Sequence, residues 1–271
     1  MITYSRLGFN GRFGNQLFQF AGTIGIAEKN GLEVTFPTNK GGMRQRLSNG
    51  NEFIARVDIM NCFDIDEKYF LEGVTVTSRR NERFFHFDET MMTVDDSTNI
   101  DGYLQSDKYF SHCREKILDV LKFKEPIMEL AEGLIPKTDK VLVSVHVRRK
   151  DYLTIPDVHP FVGIEYLRSA MAEFNTDNHH FVICSDDYDW CNEQWGEDEN
   201  CTVIKSPNHF VDFCVLSMCE HHVISNSSFS WWSSYLSQND SKRVIAPSTW
   251  FGPVYANYNT DDIYREEMKK I

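Results

Sequence analysis

Positive charge is scarce in this 271-residue chain: 28 lysines and arginines stand against 40 aspartates and glutamates, a formal net charge of −12. Proteins that bind nucleic acid need a basic face to replace the counterions of the phosphate backbone. An anionic membrane surface also attracts clusters of basic residues. The charge balance therefore argues against both nucleic acid and anionic membranes as partners.

Long apolar runs are lacking too. The sequence contains no stretch of roughly eighteen apolar residues, so no transmembrane segment is expected. The N-terminal stretch MITYSRLGFNGRFGNQ lacks the basic-then-apolar order of a secretory signal peptide. Because 41% of the residues are apolar, the chain can still form a sizeable core. We expect a soluble, cytoplasmic protein of one large or two ordinary domains.

The seven cysteines contain no C-x-x-C pair, a spacing that would suggest a zinc or redox site. Several lie within apolar runs, where a free cysteine behaves as a small hydrophobe. A zinc site at Cys214 and Cys219 is disfavoured, because their spacing directs the two side chains to different faces of a helix. We expect reduced, buried thiols.

Short β-branched runs alternate with segments of helical period from residue 141 onward. Strands are predicted at 141–147, 180–185, 202–205, 222–225 and 243–246, and helices near 163–174, 188–195, 209–220 and 229–237. Strands that are apolar on both faces and separated by helices indicate a parallel sheet covered on both sides. The second half therefore predicts a Rossmann-like α/β domain.

The first half opens in the same way but is less regular. Strands are predicted at 2–8 and 32–36, helices at 15–29, 106–121 and 125–135, and residues 38–100 give mixed signals. Asn30-Gly31 is a typical stop for the first of these helices. Because residues 136–139 are the best candidate linker, we predict two α/β domains, 1–137 and 138–271.

Three polar clusters directly follow predicted strands of the second half. HVRRKD (146–151) follows strand 141–147, SDD (185–187) follows 180–185, and SNSSFS (225–230) follows 222–225. In open α/β sheets, ligands bind at the carboxyl ends of the strands. The shared location of the clusters predicts a binding site there.

Arginine and a serine-rich helix start both suit phosphate. The planar guanidinium offers two donors to one anion and stays charged, and the first turn of a helix offers unpaired N–H groups. Strand alternation directs Arg148 and Arg149 to opposite faces, so one of them can point into a given cleft. Surface salt bridges are the alternative for the arginines. A simple helix cap is the alternative for Ser225, Ser227 or Ser228.

Together, these clusters predict a site for a nucleoside diphosphate. The arginine and serine donors would hold the diphosphate without a metal ion, and Asp186 could accept hydrogen bonds from the N–H edge of guanine. A turn or a helix cap is an equally good interpretation of the aspartates alone. Trp231, Trp232 and Trp250 could stack on a base or sugar, although packing in the core is the favoured role.

Five blocks of the sequence resemble a known family. They are GRFGNQLFQFAG (11–22), VSVHVRRKDYL (143–153), FVICSDD (181–187), ISNSSFSWWSSYLS (224–237) and VIAPSTWF (244–251). In order and spacing they resemble the α-1,2-fucosyltransferases of glycosyltransferase family 11. The resemblance implies an α/β fold of GT-B type, with two facing Rossmann-like domains and parallel sheets. It also implies GDP-β-L-fucose as donor substrate in the C-terminal domain, no cofactor or metal, and inverting transfer to the 2-hydroxyl of a terminal galactose in an oligosaccharide.

The resemblance also implies roles for individual residues. It assigns Arg148 to the leaving diphosphate, with His146 and Asp151 in the same donor loop, and Asp186 to guanine. It places further donor contacts at Asn15, Ser227, Ser228 and Phe229, and acceptor contacts at Gln16, to which Arg44 is added as a possible sugar ligand from the N-terminal half. The family's usual glycine in the donor loop is Lys150 here, and lysine would be strained if that position required a positive φ.

The acceptor proton has no clear recipient in the sequence. Asp151, Asp157 and His159 follow the strand 141–147 and could act as general base. A loose, oxocarbenium-like transition state could instead need little help from a base. The sequence leaves both possibilities open.

Three other functions compete with this interpretation. A metal-dependent transferase would use a D-x-D motif, which occurs at Asp64/Asp66 and Asp187/Asp189, although chance alone predicts about one or two such triplets. A non-catalytic binder of nucleotide sugars stays open because Lys150 replaces the family's usual glycine in the donor loop. A protein O-fucosyltransferase is suggested by GRFGNQ and disfavoured by the lack of a signal peptide.

Overall fold

The computed structural model describes residues 1–38, 43–46, 52–71 and 73–271, with the backbone alone at 43–46 and 52–53. The chain forms two compact units, one of Met1–Phe123 with Asn259–Arg265 and one of Lys124–Tyr258 with Glu266–Ile271. Residues 124–137 belong to the second unit, where the helix Glu125–Glu132 packs against the helix His209–Met218. The division at 137, with an acceptor-side and a donor-binding domain, stays a prediction.

The first unit is built on a short parallel sheet. Its strands are β1 (Ile2–Thr3), β2 (Val34–Thr35), β3 (Met43–Arg46), β4 (Glu52–Ala55), β5 (Ser78–Asn81) and β6 (Thr98–Asp101), and its helices are α1 (Phe13–Asn30), α2 (Ile59–Cys62) and α3 (Arg114–Val120). Single 3₁₀ turns lie at Glu67–Tyr69, Glu89–Met92, Asp107–Tyr109, Ser111–Cys113 and Asp261–Ile263. Four strands pair in the order β2-β1-β6-β5, and β3 pairs antiparallel with β4.

Helix α1 forms the core of the first unit. It is buried from Phe13 to Ala27 at every position except Asn15, so it is covered on nearly all sides. It ends at Gly31, whose φ of 62° closes the helix in the left-handed conformation that glycine tolerates. The predicted helix with its Asn30-Gly31 stop is confirmed.

The second unit is the predicted α/β domain. Its elements are α4 (Glu125–Glu132), β7 (Val141–Val147), α5 (Gly163–Met171), β8 (His179–Ser185), α6 (Tyr188–Trp195), β9 (Cys201–Val203), α7 (His209–Met218), β10 (His221–Val223), α8 (Ser228–Leu236), β11 (Val244–Ala246) and β12 (Met268–Lys270), with a 3₁₀ turn at Pro253–Tyr255. The six strands pair in parallel in the order β12-β11-β10-β7-β8-β9. The pattern of buried strands therefore predicted this sheet correctly, apart from β12.

The two faces of β7 have different chemistry. Val143, Val145 and Val147 join the hydrophobic core that includes residues of α5 and α6. The alternate residue His146 stacks on Phe229 of α8, with ring centres 5.1 Å apart. One face of the strand thus stabilises the unit, while the other carries polar groups toward the sheet edge.

The tryptophans and cysteines lie mainly in the core, as predicted. Trp231 and Trp232 are fully buried, and Trp250 is 5% exposed. All seven cysteines are free thiols, and five of them are buried. Burial raises the pKa of Cys191, Cys201 and Cys214 to about 12, so these thiols stay protonated and unreactive at neutral pH.

Candidate functional site

A buried serine joins the loop after β7 to the turn before α8. The Ser225 hydroxyl donates to the His146 carbonyl at 2.6 Å and accepts from the backbone N–H of Arg148 at 3.2 Å. The Tyr152 hydroxyl donates to the Asn226 carbonyl at 3.2 Å. Since β7 and β10 are adjacent parallel strands, their carboxyl ends deliver both segments to one edge of the sheet.

Arg148 is held by two carboxylates at this edge. Its Nη2 donates to Asp151 Oδ2 at 2.8 Å, and its Nη1 lies 3.2 Å from Asp186 Oδ2. The guanidinium carbon also lies 5.7 Å from the centre of the Tyr152 ring. With a side chain 22% exposed, Arg148 is partly desolvated but accessible. Paired carboxylates and a ring therefore fix the direction of the guanidinium before any ligand binds.

Arg149 takes the opposite direction, as strand alternation predicts. Its Nη1 donates to Asp187 Oδ2 at 2.5 Å, and its guanidinium carbon lies 4.8 Å from the centre of the Trp190 ring. The salt-bridge interpretation of the two arginines is thus correct for both of them. For Arg149 the ion pair and the ring bind it to α6, which leaves Arg148 as the arginine on the side of α8.

The side chain of Asp186 holds the backbone of the arginine loop. Its Oδ1 accepts from the N–H of Arg149 at 2.9 Å, and its Oδ2 faces Arg148. Lys150 follows in this loop as an exposed residue and is not among the described non-glycine residues with positive φ. The strain that lysine would suffer in place of the family's glycine therefore does not arise.

The serine-rich turn forms the start of α8. The Ser227 hydroxyl accepts from the N–H of Phe229 at 3.3 Å, so Ser227 is the N-cap, the alternative role weighed for these serines. Ser228 is the first helical residue, and both Ser228 and Phe229 are partly exposed. The first turn of this nine-residue helix therefore presents N–H groups and partial positive charge at the sheet edge.

His146 lies beneath these groups as a neutral ring. It is 5% exposed and stacks on Phe229, whose ring also lies 5.1 Å from that of Phe213. Burial, together with the charge of Arg148, lowers the pKa of His146 to about 3. His146 is therefore uncharged over the whole physiological range and adds no positive charge to the site.

The residues considered as general base have structural partners. Asp151 forms the ion pair with Arg148. His159 lies between two rings, 5.2 Å from the ring centre of Tyr152 and 5.5 Å from that of Phe251. Asp157 is exposed, and its carbonyl accepts from the N–H of Val254 at 3.0 Å. The loop 148–159 is thus held at each of these three positions.

Sequence reasoning missed a carboxylate close to this edge. Asp212 lies in the first turn of α7, beside the hydroxyl of Ser206 and the thiol of Cys184. Burial raises its pKa to about 6. In the sequence it looks like an ordinary polar residue at the start of a helix. An aspartate flanked by the apolar residues Val211 and Phe213 is the signal that could have found it.

The first unit has its own polar group at the carboxyl ends of β1 and β6. The Tyr4 hydroxyl donates to the Gly102 carbonyl at 2.6 Å and accepts from Asn10 Nδ2 at 3.0 Å. Asn10 also donates to Asp101 Oδ1 at 3.2 Å. Asn15, predicted to contact the donor, accepts from Gln105 Nε2 at 2.8 Å in the first turn of α1. These side chains also escaped the sequence analysis, except Asn15.

The predicted acceptor ligands are Gln16 and Arg44. Unlike the partly exposed Asn15, Gln16 is buried. Gln16 is 1% exposed, donates to the Arg56 carbonyl at 3.0 Å and accepts from the N–H of Asp58 at 2.7 Å. The amide is therefore buried and bonded to the backbone, and its acceptor role stays a prediction. Arg44 lies in β3 opposite Ile54, and its side chain lies outside the described residues.

Metal and membrane features can be stated for the described part of the chain. No group of three or more histidine, cysteine, aspartate or glutamate side chains there is arranged to hold a metal ion. In the same residues, none of the helices combines the length and the apolar character needed to cross a bilayer.

Comparison with known proteins identifies the class. POFUT1 in complex with GDP superimposes with a TM-score of 0.55 at 13% identity, covering 90% of this chain and 97% of that one. Together with the two α/β units, this likeness confirms the predicted α/β fold of GT-B type. The family model described as glycosyl transferase family 11 matches residues 4–271. The chain belongs to glycosyl transferase family 11, as the five sequence blocks predicted.

Relatives with assigned activities cover most of the chain. Alpha-1,2-colitosyltransferase of Escherichia coli is 27% identical and covers 92% of each chain. Galactoside alpha-(1,2)-fucosyltransferase 1 of Bos taurus is 24% identical and covers 93% of this chain and 75% of the relative. Both names describe transfer that forms an α-1,2 linkage.

Proposed function

We propose that the protein is an inverting, metal-independent galactoside 2-α-L-fucosyltransferase. It would transfer L-fucose from GDP-β-L-fucose to the 2-hydroxyl of a terminal galactose in an oligosaccharide. The observation that carries the proposal is the hydrogen-bonded junction of Arg148, Ser225 and the start of α8 at one sheet edge. The α-1,2 linkage named in both relatives supports the position of transfer.

The diphosphate would bind by exchange of partners at Arg148. The guanidinium forms ion pairs with Asp151 and Asp186. A diphosphate can take two parallel hydrogen bonds from the guanidinium while the N–H groups of the first turn of α8 donate to the same anion. Ser227, Ser228 and Phe229 would supply those contacts, and His146 would support Phe229 from below.

Arg148 would also act in catalysis. The acceptor hydroxyl attacks the anomeric carbon from the side opposite GDP, the bond to the β-phosphate oxygen breaks, and negative charge develops on the departing diphosphate. A preorganised cation aimed at this charge stabilises the transition state more than the ground state. Asp151 fixes the guanidinium at 2.8 Å and thereby contributes to preorganisation.

Of Asp151, Asp157 and His159, the three residues considered as general base, we propose Asp151 or His159 as the recipient of the acceptor proton. Asp151 would accept the proton while it stays paired with Arg148, because the diphosphate replaces Asp186 as the other partner of the guanidinium. His159 is fixed between two rings at the same edge. A pH profile that loses its acidic limb in only one of Asp151→Asn and His159→Gln would assign the base.

Guanine recognition has two candidate carboxylates. Asp186 is the residue assigned by resemblance, yet both of its oxygens contact the arginine loop. Asp212 lies near the same edge, and its known contacts are a hydroxyl and a thiol. A carboxylate can accept from both N1–H and N2–H of guanine, so either residue would select GDP over nucleotides that lack these donors.

In the first unit, Asn15 would contact the donor, while Gln16 and Arg44 are the residues first proposed for the acceptor. The amide of Asn10, which is partly exposed and held by the buried hydroxyl of Tyr4, suits an uncharged sugar better than the buried amide of Gln16 does. The domain roles follow from this: residues 1–137 would be the acceptor side and residues 138–271 the donor side.

Colitose is a second candidate for the transferred sugar. It is specifically favoured by the Escherichia coli relative, whose name gives colitose as the sugar transferred. Colitose is L-fucose without the 3-hydroxyl, so the same diphosphate site would serve both donors. Competition between GDP-fucose and GDP-colitose for one acceptor would decide between them.

The test is transfer in a purified system. The protein is incubated with GDP-fucose and a β-galactoside in the presence of EDTA, and the product is analysed by mass spectrometry and linkage analysis. We expect a mass gain of one deoxyhexose, joined α-1,2 to galactose. Binding of GDP-fucose without any product would favour the non-catalytic binder, and activity that requires added manganese would favour the metal-dependent alternative.

A further inference from the structure

A continuous series of ring contacts leads from Arg148 away from the diphosphate site. We call the rings of Tyr152, His159, Phe251, Tyr255 and Tyr258 the aromatic array. Successive ring centres are 5.2 Å (Tyr152 to His159), 5.5 Å (His159 to Phe251), 5.5 Å (Phe251 to Tyr255) and 5.8 Å (Tyr255 to Tyr258) apart. All five belong to the second unit. The array therefore connects the donor loop with the segment after β11.

The array rests on two loops that are bonded to each other. The N–H of Gly252 donates to the Val158 carbonyl, and the N–H of Val254 donates to the Asp157 carbonyl, both at 3.0 Å. A Cβ at position 252 would lie 2.5 Å from the Asp157 carbonyl oxygen, so the two backbones can approach this closely only with glycine there. These contacts hold the rings at fixed positions before a ligand arrives.

Asn226 ties the same two loops to the serine turn. Its Nδ2 donates to the Pro160 carbonyl at 3.0 Å and to the Trp250 carbonyl at 2.9 Å. Its own carbonyl accepts from the hydroxyl of Tyr152. The array is thus part of the same hydrogen-bonded structure as the proposed diphosphate site.

Exposure increases along the array. Tyr152 is 8% exposed at the inner end and Tyr258 is 52% exposed at the outer end. Leu153, Ile155 and Val254, on the two supporting loops, are also exposed. Exposed apolar groups grouped beside a binding site usually serve recognition. A surface of tyrosine rings and aliphatic side chains suits a ligand that is uncharged and has apolar faces.

We infer that the outer array, Phe251, Tyr255 and Tyr258, is a subsite for the acceptor oligosaccharide that binds a sugar other than the one receiving the transferred residue. The C–H face of a pyranose packs on an aromatic ring, while tyrosine hydroxyls can meet sugar hydroxyls at the ring edge. Tyrosine also loses little side-chain entropy when it binds. The inference rests on the proposed function, because the glycan is placed by continuity with the donor site.

The test compares a long acceptor with a short one. For Tyr258→Ala and Tyr255→Ala we expect the KM for a galactose-terminated tetrasaccharide to rise about fivefold, as loss of one stacked ring would give. The KM for methyl β-galactoside and the KM for GDP-fucose should stay unchanged. Tyr258→Phe keeps the ring, so its KM for the tetrasaccharide should stay close to the wild-type value. Phe84→Ala removes an exposed aromatic side chain of the first unit and should leave both acceptor KM values unchanged.

Each outcome decides the inference. An equal rise of KM for both acceptors, or no rise for either, would overturn the subsite. If the wild-type protein transfers no sugar, the proposed function fails separately, and saturation-transfer NMR with the tetrasaccharide then tests the subsite directly. Signals that require Tyr255 and Tyr258 would support it, and signals unchanged in both variants, or absent from the wild type, would overturn it.

Discussion

The carboxyl-end edges of the two sheets differ in how their polar groups are satisfied. At the second edge, Arg148 and Arg149 form ion pairs with carboxylates at 2.5 to 3.2 Å. At the first edge, Tyr4 and Asn10 share a neutral hydrogen bond, and the single carboxylate of Asp101 accepts from Asn10 at 3.2 Å and lies 3.6 Å from Arg6. Short charge-assisted contacts suit an anion that replaces one of the partners, whereas amides and hydroxyls suit an uncharged ligand. This difference is our reason for proposing a charged donor on the second unit and a neutral acceptor on the first.

The largest effect should follow from removing the charge at the second edge. For Arg148→Ala we expect kcat for transfer to fall by about 10² to 10³, because a preorganised donor to the leaving diphosphate is lost. Arg148→Lys should remain strongly impaired, since lysine cannot form the planar two-donor contact. Steady-state kinetics measure this, with Arg168→Ala, an exposed arginine of α5, as the matched control. Near-normal turnover of Arg148→Ala would show that the charge at the second edge is not needed for transfer.

The next effect distinguishes the two carboxylates proposed for guanine. The aspartate that reads guanine should, when changed to asparagine, weaken GDP binding about tenfold and reduce the preference for GDP over inosine diphosphate, which lacks the 2-amino group. Where the aspartate only holds the arginine loop, its change to asparagine should weaken the binding of GDP and of inosine diphosphate by the same factor. Calorimetric titration of Asp186→Asn and Asp212→Asn, with the exposed Asp189→Asn as control, measures the ratio. An unchanged ratio in both variants would exclude both assignments.

Asp212 should also make stability depend on pH. Its folded-state pKa of about 6 lies above the ordinary value of 3.8, so the folded protein favours the protonated carboxyl. This contribution to stability is complete below pH 3.8 and is lost as pH rises through about 6. The total is at most about 3 kcal/mol, from 1.36 kcal/mol for each unit of pKa.

Urea unfolding at pH 5 and pH 8 tests this dependence. Asp212→Asn cannot ionise, so it should lose less stability than the wild type between the two pH values. His146 contributes with the opposite sign: it stays neutral in the folded protein, whereas the unfolded chain protonates it as pH falls through its ordinary pKa of 6.5, which lowers stability at pH 5. Both proteins share this contribution, so the difference between the variant and the wild type reports Asp212. Equal pH dependence in the variant and the wild type would show that Asp212 is not the group that titrates.

At the neutral edge a smaller effect is expected. Tyr4→Phe removes the hydroxyl that bridges Asn10 and Gly102 and should lower the free energy of unfolding by about 1 to 2 kcal/mol. The KM for the acceptor should rise, because the buried Tyr4 hydroxyl no longer holds the partly exposed Asn10, and the affinity for GDP should stay the same. Thermal unfolding and kinetics with both substrates check this. A loss of GDP affinity would indicate that the donor binds at the first edge and would contradict this assignment.

The smallest effect should come from Lys150→Gly. Because Lys150 is exposed and its φ is not positive, restoring the family's usual glycine should relieve no strain. We expect kcat/KM to change less than about twofold and stability to fall by less than about 1 kcal/mol, through the greater freedom of glycine in the unfolded chain. A large gain in activity would instead support the non-catalytic interpretation of the lysine-containing loop.

The same two regions also differ in how well the sequence predicts them. Strands β7 and β8 were located to within one residue, because buried parallel strands are continuous β-branched runs bounded by polar turns. Strand β5, with the sequence SRRN, is exposed at all four positions and lies at a sheet edge, so its side chains carry no hydrophobic signal. Strand β12 was missed for the same reason, since two of its three residues are exposed.

Within the candidate site, the sequence indicates groups that directly follow a strand more readily than groups that depend on packing between elements. The structure places Arg148 and Ser227 after strands β7 and β10, where the sequence locates them, while their roles stay predictions. Asp212 was missed, because only the packing of α7 against β8 desolvates it. Gln16 was assigned to the acceptor from its motif, whereas its amide holds the backbone at Arg56 and Asp58, a contact 40 residues away that no local pattern reveals.

The most direct measurement is the crystal structure of the protein with GDP. The account predicts phosphate oxygens within hydrogen-bond distance of the Arg148 guanidinium and of the N–H groups at Ser228 and Phe229, with the contact between Arg148 and Asp186 broken or lengthened. A diphosphate bound at the carboxyl ends of β1 and β6 instead, with Arg148 still paired to both carboxylates, would contradict it.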